Sequence, residues 1–65
     1  MYDDNIYNLM AQAVEESQSL YRIKNDYLKD AKECDECTEF WKKLIEDKEQ
    51  HCDDLWNLIK NHMKE

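Results

Sequence analysis

The stretch "KLIEDKEQHCDDLW", Lys43 to Trp56, decides how this chain folds. Read at helical spacing, Leu44, His51 and Leu58 fall seven apart, and so do Trp41, Lys48, Leu55 and His62. Two rows so spaced make one seam along a helix packed against another helix. Lys48 and His51 interrupt that seam at its middle. Ile45, Cys52, Trp56, Ile59 and Met63 widen the face beyond what two helices need. The pattern predicts a helix over about residues 37–63.

Working outward, an earlier helix is expected over about residues 4–32. Asp3, Asp4 and Asn5 suit its N-terminus, where side-chain oxygens cap free N–H groups and acids meet the helix dipole. Ile6, Ala13, Leu20 and Tyr27 recur every seven residues, with Leu9, Glu16 and Ile23 as companion row. Tyr7, Val14, Tyr21 and Leu28 form a second apolar row, with Met10 beside it. The pattern weakens across "DAKECDEC", so a turn is expected over about residues 33–36, with Asp35 as cap of the second helix. Two long helices joined by a short turn fold back as an antiparallel hairpin. The chain has no glycine and no proline, so a single continuous helix remains the competing reading. The second apolar rows would stay wet on one hairpin. Two hairpins packed as a four-helix bundle would cover them, and a homodimer is the expectation.

Composition narrows the functional classes. The chain has 65 residues and a net charge of -7, which is one small domain with a limited core. The acidity argues against direct nucleic-acid binding or an anionic membrane, both of which want basic patches. It permits a basic protein partner, or mimicry of nucleic acid. No apolar run is long enough to span a bilayer, and no signal-peptide pattern follows Met1. Three cysteines suit a reducing compartment better than a disulfide scaffold, so a cytoplasmic location is expected. There is no nucleophile–base pair at usable spacing and no phosphate-binding loop, so an ordinary enzyme is not expected.

The first helix has its own intruder in the seam, Glu16. With the turn centred near Cys34, Glu16 should face the Lys48–Cys52 segment. Buried charge is costly unless paired or bound to metal. Two readings of this polar layer stand side by side. One is a Glu16–Lys48 ion pair hydrogen-bonded to His51, which sets register. The other is a metal site with Glu16 and His51 as ligands, doubled across a dimer two-fold, a donor set suited to iron, manganese or zinc.

The segment "FWKKLIEDKEQHCDDLWNLI" (Phe40–Ile59) resembles the metal-bearing helix of the ferritin-like superfamily, rubrerythrins especially, in which a hydrophobic pair precedes Glu-x-x-His and further leucines follow. "LMAQAVEESQSLYRIKNDYLKDA" (Leu9–Ala31) resembles the preceding helix of that family. The resemblance implies a di-iron type of site in which Glu16 and His51 match two ligand positions. The third position departs: it is Lys48, giving Lys-x-x-His. A protonated lysine cannot ligate, and its charge can stand in for that of a metal beside Glu16. Only half of the family's four helices are present, so a dimer would have to rebuild the rest.

Cys34 and Cys37 form a Cys-x-x-Cys at the turn, a spacing that suits zinc, a redox pair or ordinary turn residues. Zinc would need two more ligands from a second chain. Glu33, Asp35 and Glu36 disfavour a thiolate there. Cys52 reads as a core residue and His62 as a helix C-terminal cap. The sequence thus supports a small ferritin-like, metal-binding, non-enzymatic helical protein, and alternatively an acidic interaction or inhibitor module with a structural Glu–Lys–His network.

Overall fold

The computed structural model describes residues 4–63. They form an all-helical hairpin with no strand among them: α1 (Asp4–Arg22), a π-helical turn (Ile23–Tyr27), a short α2 (Leu28–Asp30) and α3 (Asp35–Met63). The first three run continuously as one arm, and α3 returns along it. Asp3, a candidate cap, lies outside the described residues.

The two arms meet along a heptad seam. On the first arm Ala13 and Ile23 are buried, and Ile6, Leu9, Glu16 and Leu20 are half-buried. These are the two rows expected from the sequence. On α3 the row Trp41, Lys48 and Leu55 is half-buried as expected, but its companion row is shifted by one residue. Ile59 is 2% exposed and Leu58 is 46% exposed. Leu44 is half-buried as expected, and so are Ile45 and Cys52, so the shift takes hold beyond Lys48, where His51 faces out. The physical reason is the imidazole. Row 41–48–55 can pair with the row that includes His51 or with the row Ile45, Cys52 and Ile59, and only the latter adds no further polar group to the seam.

The π turn makes a second correction. Steps of three and four residues carry α1 from Ile6 to Ile23, and the same steps would next place Tyr27 and then Asp30 in the seam. A π turn adds one residue to the helix. Its signature is the Leu28 N–H bonded to the Ile23 carbonyl. The extra residue rotates the rest of the arm, so Leu28 and Ala31 are half-buried and Asp30 is exposed. Tyr27 moves to the edge, 39% exposed, where its ring lies 5.3 Å from that of Trp41. The Asn25 amide donates to the Tyr21 carbonyl at 2.8 Å, a partner for a backbone oxygen beside the irregular turn.

The connection needs no glycine because none of the described residues has a positive φ. The Ala31 carbonyl accepts from the Cys34 N–H and from the Thr38 hydroxyl, both at 2.9 Å. The cap of α3 is Cys34, not Asp35. Its carbonyl accepts the Thr38 N–H at 2.9 Å and its sulfur accepts the Cys37 N–H at 3.2 Å. Asp35 and Glu36 instead occupy the first turn, where the helix dipole favours negative charge.

Deleting Asn25 should convert the π turn to regular α-helix while Leu28 and Ala31 keep their places in the seam. Chemical denaturation should find that variant within about 1 kcal/mol of the parent. Deleting the exposed Ala11 should instead turn Ile6 and Leu9 out of the seam and cost about 2 kcal/mol or more.

Candidate functional site

The polar layer sits at mid-length of the seam. Glu16 comes from α1; Lys48 and His51 come from α3, three residues apart and therefore on one face. Both Glu16 oxygens are engaged: Lys48 Nζ donates to Oε1 at 2.9 Å and His51 Nδ1 lies 3.1 Å from Oε2. The Glu16 and Lys48 side chains are 12% and 17% exposed, whereas that of His51 is 60% exposed. The layer is therefore dry on one side and open on the other. The open side is a shallow groove that Gln12, Asp54, Leu55 and Leu58 line beside Glu16 and His51. His51, displaced from the seam by the row shift, still reaches back to the carboxylate from its edge.

The hydrogen bond from Lys48 holds the Glu16 carboxyl below its ordinary range. Burial opposes this, and the bond to His51 adds to the lowering. Lys48 supplies the positive charge, so Glu16 has its counter-ion inside one chain. With respect to a metal, a single hairpin offers one carboxylate and one imidazole here, with an ammonium against them. Among the described residues no group of three or more donor side chains could hold a metal ion. The donor set of one chain does not fit a di-iron centre.

Two side-chain pairs beside the layer extend it along one edge. Ser17 Oγ lies 3.8 Å from Cys52 Sγ, and Lys24 pairs with Glu49 at 2.9 Å. The latter pair is about half exposed on both sides, so it adds little stability, roughly 0–1 kcal/mol. Only the register of the two arms makes this pair legible. Cys52 is half-buried against Ser17, and His62 is exposed in the last turn of α3.

Cys34 and Cys37 lie at the turn end, about 20 Å along α3 from Lys48. Cys34 caps the helix and Cys37 sits in its first turn, exposed. Hydrogen bonds from the Cys37 thiol and backbone N–H hold the Cys34 thiol below its ordinary range. The same contact pushes the Cys37 thiol up. Local hydrogen bonding thus favours negative charge on Cys34, against the acids that flank it in sequence.

Among the described residues no helix is long and apolar enough to cross a membrane. No family model, curated protein or solved structure matches the chain.

The Glu16 pair has a pH signature. Its folded-state pKa lies below the ordinary value of 4.5, so the pair's stabilisation is present above that value and is lost as pH falls through the native pKa. Acid titration of the thermal midpoint should show a limb that Glu16→Gln flattens. At neutral pH, Glu16→Ala should cost about 1–3 kcal/mol by leaving Lys48 without its acceptor. The double variant Glu16→Leu with Lys48→Leu should cost far less, because both charges leave together.

Proposed function

We propose that this hairpin is a non-enzymatic self-association module: two copies pack through their second apolar rows as a four-helix bundle, and the Glu16–Lys48–His51 layer sets the register of each hairpin. The observation that carries this reading is the amount of surface left uncovered. The chain exposes 5407 Å², whereas a compact monomer of its 8.0 kDa would expose about 4,450 Å². The excess, roughly 950 Å², is close to one partner's share of a standard interface, about 800 Å².

The exposed apolar groups are also aligned. Tyr7, Val14 and Tyr21 recur at seven-residue spacing on the first arm, with Met10 one helical step from Tyr7 and Val14, and they are 37–68% exposed. Trp56 and Met63 do the same on α3, at 47% and 61%. Helix geometry puts the two stripes on one side of the hairpin. Met10 and Ser17 are a heptad apart, and so are Glu49 and Trp56; Ser17 meets Cys52 while Glu49 meets Lys24 across the seam. That side measures up to 50 Å by 15 Å, which accommodates about 750 Å² of contact. A second copy fits it because the stripe runs most of the hairpin's length.

A second reading keeps the dimer and adds iron, manganese or zinc between the Glu16 and His51 side chains of two copies. The Glu16–His51 contact favours it, and the ammonium on Glu16 Oε1 opposes it. The ferritin-like resemblance belongs to this reading.

Sedimentation equilibrium at micromolar concentration should return the mass of a dimer, and Val14→Lys with Trp56→Lys should return a monomer of unchanged helicity. A parent monomer with full helicity would sink the proposal. Metal analysis of the same untagged protein separates the two readings: stoichiometric iron, manganese or zinc would transfer the layer's role from register to metal binding.

A further inference from the structure

We propose that Cys34 and Cys37 form a dithiol that reduces disulfides of neutral or cationic character, with Cys34 as the attacking sulfur and Cys37 as the one that resolves the mixed disulfide. The geometry is one half of a capping box, in which the N-cap side chain bonds the N–H of the third helical residue. Here the N-cap sulfur of Cys34 accepts the Cys37 N–H at 3.2 Å. The two cysteines thereby sit at the start of one helix face, at the three-residue separation that a disulfide can close. Both cysteines are free, and Cys37 is exposed.

The two sulfurs are also made unequal, as successive attack requires. Backbone N–H groups of Glu36 and Cys37 stabilise negative charge on Cys34. Cys37 lacks this and stays a thiol while Cys34 is charged. Beside Cys37 lies an open depression of about 260 Å³ lined by Tyr27, Asp30, Ala31 and Trp41. The aromatic pair gives it an apolar wall against which a substrate side chain can rest. Glu33, Asp35 and Glu36 surround the pair with negative charge, which repels an anionic disulfide and tolerates a neutral or cationic one.

The exchange balances within the two partners. The Cys34 thiolate attacks one substrate sulfur, the substrate S–S bond breaks, and the departing sulfur leaves as a thiolate that takes a proton from water. Cys37 then gives its proton to water and attacks Cys34. The mixed disulfide breaks, and the second substrate sulfur leaves as a thiolate and is protonated. Two electrons pass to the substrate disulfide, and the Cys34–Cys37 disulfide is the oxidised product. Cys52 takes no part, since it lies against Ser17 on the far half of the hairpin.

The test treats reduced protein at neutral pH with bis(2-hydroxyethyl) disulfide, cystamine or oxidised glutathione, and follows adducts by peptide mass mapping. The first two reagents should yield a Cys34–Cys37 disulfide several-fold faster than they modify the same chain unfolded in urea, and faster than glutathione does. Cys37→Ser should stop at a single adduct on Cys34. Cys34→Ser, which keeps a good N-cap, should lose the rate advantage, and Cys52→Ser should change nothing. Adducts spread evenly over all three cysteines at the unfolded-chain rate would overturn the proposal. So would a Cys34–Cys37 disulfide that fails to form.

Discussion

The Glu16 carboxylate, shared between Lys48 and His51, is the contact on which the rest of the hairpin depends. Among the described residues only Ala13, Ile23 and Ile59 are fully buried, so the seam is thin and apolar packing alone would tolerate sliding by a heptad. A carboxylate that is nearly dry and has a single ammonium opposite it does not tolerate sliding. A seven-residue slip would leave Glu16 and Lys48 each in the seam without a partner, at a cost of several kcal/mol. The layer thus trades little net stability for one alignment, as a polar residue in a coiled-coil core does.

That alignment determines where everything else sits. With Glu16 opposite Lys48, Ser17 comes to Cys52 and Lys24 to Glu49. Trp41 comes to Tyr27, which closes the apolar wall near the turn. The π turn then keeps the last stretch of the first arm in phase. It adds one residue before Leu28, so that Ala31 rather than Asp30 meets α3, and the chain reaches the cap at Cys34 without a strained residue.

The two ends of the molecule therefore differ in chemistry. The apolar stripe of Tyr7, Met10, Val14, Tyr21, Trp56 and Met63 runs along one side from the open end toward the turn, and in the proposed dimer a second copy covers it. The turn end carries the two thiols, outside that stripe and about 20 Å along α3 from the polar layer. The proposed self-association and the proposed thiol chemistry would use different faces, and the acidic exterior disfavours random association of the uncovered surfaces.

The sequence by itself determined the helices, the place of the turn to within a few residues, and the meeting of Glu16 with the Lys48–Cys52 segment. Heptad spacing and chain length suffice for these, because levels in an antiparallel hairpin are counted from the turn. It did not determine which of two adjacent rows of α3 faces inward. Rows ending in Leu58 and Ile59 are both apolar at their ends, and the choice depends on keeping His51 out of the seam while leaving it within reach of Glu16. Nor did it reveal the π turn, which exists because a regular helix would have buried Asp30 against α3. The expectation of Asp35 as the cap on α3 fails for a related reason: any short polar side chain can cap a helix, and only the path of the turn decides which one arrives there. Here it is Cys34, and that tertiary detail places the Cys34 sulfur against the backbone N–H of Cys37.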